Sequence, residues 1–179
     1  MTDKEFQHNL NLIQDKDKAG LRNIYTEYLT LIYHTVLSVI KNKEDAEDIT
    51  SEFFIKLANI SDKYKEGNGH ITWLITIARN MTIDYIRKHK RELPTDDIYE
   101  DVTLTSVPSE TPEETYLTKQ SFKELIHKLK SKEQEIIVLK IVGELTFKEI
   151  ADILKEPMGT ITWRYQNAIN KLRRLQNEQ

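Results

Sequence analysis

The sequence predicts an all-α chain: two small helical domains joined by a flexible acidic linker, the C-terminal one a helix-turn-helix domain. Three observations predict this class. Apolar residues recur at helical spacing from Leu21 to Ile40 and again from Trp73 to Ile86. No stretch alternates apolar and polar residues for long enough to make a strand. Three of the 4 prolines, Pro94, Pro108 and Pro112, fall in one acidic stretch without helical period, and each removes a backbone donor.

The composition suits packed helices and no bilayer. Of 179 residues, 39% are hydrophobic and 31% charged. The longest apolar run, Ile136 to Leu139, falls far short of the roughly 20 residues a membrane-spanning helix needs. The first residues, Met1 to Glu5, have no apolar core of a secretory signal. No membrane insertion and a cytoplasmic location are therefore expected. The absence of cysteine excludes disulfides, zinc–thiolate sites, iron–sulfur clusters and a cysteine nucleophile.

The first domain is placed over residues 1–91. Its first helix is read from Leu21, with Ile24, Tyr28, Ile32, Val36 and Ile40 on one stripe. Asn42 is placed to cap a second helix, and Glu44 and Asp45 sit in its first turn, where the helix dipole favours acids. Ala46, Ile49, Phe53, Phe54 and Leu57 form its apolar face. Residues 61–70, with Gly67 and Gly69, read as a loop. A third helix runs over about 71–90 with Trp73, Leu74, Ile77, Ala78, Met81 and Ile86 apolar.

The linker is placed over residues 92–112 and the second domain over 113–179. Four helices are read there, over about 113–129, 132–142, 147–154 and 158–175. Ser131 to Gln134 and Thr146 to Glu149 fit the capping-box pattern, and Gly143 is placed to end the second of the four.

A net charge of −3 conceals a strong pattern. Residues 71–91 carry Arg79, Arg87, Lys88, Lys90 and Arg91 against the single acid Asp84. Residues 92–118 carry acids and no Lys or Arg. Residues 158–174 carry Arg164, Lys171, Arg173 and Arg174 with no acid. Two basic helices flanking an acidic tether suggest two contacts on one polyanion. Fully extended, residues 92–118 would reach roughly 90 Å at about 3.3–3.6 Å per residue.

A short helix, a tight turn and a longer basic helix make the helix-turn-helix arrangement. Ala151 falls where its two helices approach closely, and Ile161 is placed as the buried residue of the second. Thr160, Thr162, Trp163, Arg164 and Asn167 then lie toward base edges. Lys171, Arg173 and Arg174 lie along a phosphate backbone. Lys155 stands where a turn glycine is common, and Glu156 where an apolar residue is common.

Three stretches in order resemble the extracytoplasmic-function (ECF) class of the bacterial sigma-70 family. Asp45 to Phe54 resembles its core-polymerase-binding helix. Trp73 to Asn80, followed by Asp84 to Arg87, resembles its promoter-melting and −10-recognition helix. Glu149 to Ala151, Gly159 to Arg164 and Lys171 to Arg173 resemble its −35-reading domain. The resemblance implies a transcription initiation factor that is not an enzyme and needs no cofactor. Its partners would be core RNA polymerase, promoter DNA and an anti-sigma factor. It implies that Asp45, Asp48, Glu52 and Phe53 face the polymerase. The loop at 61–70 would capture a flipped −10 base. Lys65, Trp73, Arg79, Asn80, Arg87, Lys88, Lys90 and Arg91 would engage the −10 region, and Thr160, Thr162, Trp163, Arg164, Asn167, Lys171, Arg173 and Arg174 the −35 element.

Other readings compete. Asp45, Asp48 and Glu52 share a helix face, and Glu124 precedes His127 by three residues. A di-iron bundle, however, needs that Glu-x-x-His motif twice, and there is no second copy. A helix-turn-helix regulator binding DNA without polymerase, and a module that sequesters another factor, are the remaining alternatives.

Overall fold

The computed structural model describes residues 1–65, 67, 69–90, 126 and 128–177. The linker at 92–112 and most of the helix expected over 113–129 lie outside the described residues. The rest form two compact helical units. No helix among them is long and apolar enough to cross a membrane.

The first unit contains α1 (Asp3–Gln14), α2 (Lys18–Ile40), α3 (Lys43–Asn59), a 3-10 turn (Ser61–Lys63) and α4 (His70–Lys90). The central α2 packs against α1, α3 and α4. Phe6, Leu10, Ile24, Ile32, Ile49, Phe53, Leu57, Leu74 and Ile75 are fully buried around it. Each such side chain contributes about 1.5–3 kcal/mol of burial free energy.

Local chemistry sets the boundaries. The Asn42 side chain accepts from the Asp45 N–H at 3.0 Å and starts α3 as expected. Asp17 caps α2 by accepting from the Ala19 N–H at 2.8 Å, so this helix begins three residues earlier than read from its apolar stripe. Helix α1 was not expected at all. It opens with a capping box: Glu5 N–H donates to the Thr2 hydroxyl at 3.3 Å, and Thr2 N–H donates to Glu5 at 2.7 Å. Gly20 lets α1 and α2 touch, because a Cβ there would fall 2.3 Å from the Asn9 carbonyl oxygen.

The second unit contains α5 (Ser131–Ile141), α6 (Phe147–Leu154) and α7 (Met158–Asn177). Leu129, Ile137, Ala168 and Leu172 form its buried centre, with Ile126, Tyr165, Ile169 and Leu175 packed around them. The capping box at the start of α6 is present: Glu149 N–H donates to Thr146 Oγ1 at 3.3 Å, and Thr146 N–H donates to Glu149 at 2.8 Å. At α5 the cap sits one residue before the expected one. Lys130 is the N-cap, its N–H donates to Glu133 at 3.0 Å, and Ser131 is already helical.

Gly143 follows the end of α5 for a reason other than left-handed φ. The left-handed residue there is Glu144, at φ 54°. A Cβ on Gly143 would lie 2.7 Å from the Leu139 carbonyl oxygen, so glycine is required for close approach.

Candidate nucleic-acid and protein interfaces

The helix-turn-helix geometry is set by α6, the turn and α7. Ala151 and Ile161 are buried where expected, and Phe147 meets Tyr165 edge-on at 5.2 Å. Lys155, at φ 53° and ψ 42°, occupies the left-handed conformation usually given to glycine. Its N–H still donates to the Ala151 carbonyl, as does that of Glu156 at 3.2 Å.

Glu156 replaces an apolar turn residue with ion pairs. Its carboxylate takes Lys132 Nζ at 2.8 Å and also binds the Arg164 guanidinium. These partners, Lys132 first, hold the Glu156 carboxyl below its ordinary range. Lys171 pairs with the nearly buried Glu133 at 2.6 Å. Burial alone would push the Glu133 carboxyl up, but the bonds from Lys171 and the Lys130 N–H outweigh it and hold it low.

Of the expected −35 residues, Trp163, Arg173 and Arg174 are exposed, and Thr160, Thr162, Arg164, Asn167 and Lys171 are half-buried. Gly159, Trp163, Gln166, Asn170, Arg173 and Arg174 are exposed along one face at helical spacing. Asn167 lies half-buried beside them. Arg164 and Lys171 stand at the flanks, each tied to a glutamate of its own unit. Thr160 is half-buried, and Thr162 donates its hydroxyl to the Met158 carbonyl at 2.9 Å. Trp163 is 63% exposed, the opposite of a core tryptophan. Gln166 and Asn170 were missed by sequence reasoning. The available signal was their position three and seven residues beyond Trp163.

On α4, Asn80, Arg87 and Lys88 are exposed on one face, where Arg87 lies 3.7 Å from Asp84. Arg79 is half-buried and Lys65 is exposed. Arg91 and the Lys90 side chain lie outside the described residues. Trp73 is half-buried, with its ring 5.2 Å from Tyr64 and 6.2 Å from Phe6.

On α3, Asp48 and Glu52 are exposed. Asp45 is half-buried and accepts a 2.6 Å hydrogen bond from the Tyr85 hydroxyl. That bond first, then burial and the neighbouring acids, push the Tyr85 hydroxyl up to about 12. Phe53 does not join this surface. It is 0% exposed and packs edge-on against Phe54 at 5.1 Å. The reason is helical phase: Phe53 continues the Ala46–Ile49 core stripe, while Asp48 and Glu52 point away from it. Ile55, 64% exposed, follows Asp48 and Glu52 on the outer face. Among the described residues, no three His, Asp or Glu side chains are grouped to hold a metal ion.

A Sigma-70 region 2 model matches residues 24–92, and a Sigma-70, region 4 model matches residues 125–174. The chain is 30% identical over 171 residues to the ECF RNA polymerase sigma factor SigW of Bacillus subtilis, covering 90% of this chain and 91% of that one. It is 31% identical over 132 residues to the ECF RNA polymerase sigma factor SigM of the same organism, covering 73% and 79%. Its fold is similar to that of the sigma factor RpoE from Bartonella quintana, solved with the anti-sigma factor NepR. The TM-score is 0.68 at 24% identity, covering 87% of this chain and 98% of that one. An acidic helix face, a basic helix and a helix-turn-helix thus recur here in the order of one family, and the chain belongs to the ECF RNA polymerase sigma factors.

Proposed function

We propose a specific division of labour for this transcription initiation factor. The outer face of α3, with Asp48, Glu52 and the rim of Asp45, docks on core RNA polymerase. The exposed face of α4, with Asn80, Arg87 and Lys88, engages the −10 region as it melts, together with Lys65 and Trp73. The stripe Trp163, Gln166, Asn167, Asn170, Arg173 and Arg174 enters the major groove at −35.

The carrying observation is that stripe on the second helix of a helix-turn-helix. It combines amides that can bond base edges with two exposed arginines at its far end. Base contacts near the helix start would supply sequence preference, and arginine–phosphate contacts would supply salt-sensitive affinity. The protein performs no covalent chemistry in this reading and acts with cytoplasmic polymerase. An anti-sigma factor is the expected negative regulator, as in the similar structure solved with one.

The test is binding to purified bacterial core RNA polymerase followed by run-off transcription from a promoter library. New start sites with aligned −35 and −10 elements are expected. Sequence-specific duplex binding by the free protein, with no effect on polymerase, would instead identify an ordinary regulator.

A further inference from the structure

One carboxylate grips both ends of the segment between the 3-10 turn and α4. The Tyr64 hydroxyl approaches Asp3 Oδ1 at 3.5 Å, and the His70 backbone N–H donates to the same oxygen at 3.2 Å. The His70 Nδ1 also bonds that oxygen. A carboxylate only accepts, so Nδ1 carries a proton here. The other ring nitrogen meets the Tyr28 hydroxyl at 2.6 Å. His70 is buried, and Phe6 stacks on it at 4.9 Å. These bonds, led by that of the His70 side chain, hold the Asp3 carboxyl below its ordinary range.

Asp3 and Phe6 both come from α1, which precedes the part matched by the region 2 model. The first-turn position of Asp3 would suit the helix dipole without any tertiary contact. Dipole complementarity does not require its oxygen to meet groups more than sixty residues away. Phe6, Tyr64 and Trp73 then form one aromatic contact set, because Phe6 lies 5.1 Å from Tyr64 and Tyr64 lies 5.2 Å from Trp73.

We propose that Asp3 is a positioning residue for the −10 contact: by holding Tyr64 and His70 together it fixes where Lys65 and Trp73 meet the promoter strand. The proposal rests on the assignment of that contact made above. Capturing an unstacked base costs stacking energy, and a loosely held segment recovers less of that cost and discriminates less between bases.

The experiment uses the full chain with core RNA polymerase on a promoter pool randomised across the −10 element. Asp3→Ala removes the acceptor. Asp3→Asn keeps a carbonyl oxygen for the same donors and is the conservative variant. Glu5→Gln weakens the α1 capping box while leaving Asp3 in place. Trypsin cleavage after Lys63 and Lys65 in the free protein reports directly on whether the segment is held.

Asp3→Ala is expected to speed that cleavage and to flatten base preference at one −10 position by about tenfold, the scale of a lost charge-assisted bond. Asp3→Asn should recover most of the preference, and Glu5→Gln should leave it unchanged. A uniform loss of transcripts with an unaltered preference profile would assign Asp3 a structural role only and overturn the proposal. Equal flattening by Glu5→Gln would do the same. Wild-type protein that gives no start sites would overturn the sigma assignment itself, and the proposal with it. The trypsin rates would still show separately whether the Asp3 contact forms.

Discussion

Lys155 stands where glycine would carry less strain. Its backbone must take a left-handed conformation, which costs an L-residue about 1–2 kcal/mol. Glycine removes that strain and adds about 0.5–1 kcal/mol of unfolded-state entropy. Lys155→Gly should therefore stabilise the second unit by about 0.5–1 kcal/mol, read from chemical unfolding. A destabilised variant would show that the lysine side chain itself contributes.

The cations of α7 also differ one from another. Arg173 and Arg174 are exposed, so Arg173→Ala should weaken promoter binding across sequences and lower the log–log salt slope by about 1. Arg164 is bound to Glu156, a carboxylate it shares with Lys132. An arginine bound to a carboxylate releases fewer counterions on meeting DNA, so Arg164→Ala should lower that slope less than Arg173→Ala does. Equal slopes for the two variants would place Arg164 on a phosphate in the complex.

At the scale of the element, α3 shows how one helix serves two purposes through phase. Phe53→Ala should cost about 3–5 kcal/mol, as for a large side chain deleted from a core. The double variant Asp48→Lys with Glu52→Lys should leave unfolding within about 0.5 kcal/mol of wild type, as exposed substitutions do. It should weaken core polymerase binding by about tenfold or more. A polymerase affinity unmoved by the charge reversal would exclude this face as the docking surface.

The helices legible from sequence are those whose signals are local. Asn42, Thr146 and the apolar stripes each act within a few residues, and each lies where its chemistry requires. Helix α1 carried a local signal too, in Thr2 and Glu5 followed by Phe6 and Leu10, but it is short and weakly apolar. What holds it is tertiary: Gly20 admits it against α2, and Asp3 reaches residues near position 70. Phe53 lies on the apolar face where its helical period puts it, and only the motif resemblance assigned it to the polymerase surface. The pairing of Arg164 and Lys171 was illegible because it forms only on folding. Glu133 reaches Lys171 only after α5 and α7 pack together, and Glu156 reaches Arg164 only through the left-handed turn before α7.

Across the whole molecule, the sequence divides its charge into basic helices and an acidic connector, and its net charge of −3 reveals neither. The second unit adds a network of its own, in which Glu133 and Glu156 bind Lys171, Lys132 and Arg164. Both carboxyls are held below their ordinary value of 4.5. A carboxyl with a lowered folded value binds its proton less readily folded than unfolded. Its stabilising contribution is complete above about 4.5 and is lost as pH falls through the lower folded value. The double variant Glu133→Gln with Glu156→Gln should therefore unfold more easily at neutral pH and lose less of its remaining stability below pH 4.5 than wild type does. Calorimetry as a function of pH checks both expectations, and parallel acid profiles would remove these pairs from the account.

The chain has 2 tryptophans, one in each unit and in opposite surroundings. Trp73 is packed among Phe6 and Tyr64, whereas Trp163 stands in solvent on the face assigned to the groove. Intrinsic fluorescence of the free protein therefore carries two separable signals. Base edges closing over Trp163 would alter the red-shifted part of the emission, and unfolding of the first unit would shift the blue part. With Trp163→Phe the remaining signal of the free protein follows the first unit alone, so the unfolding of the two units could be timed separately by stopped flow without attaching any dye.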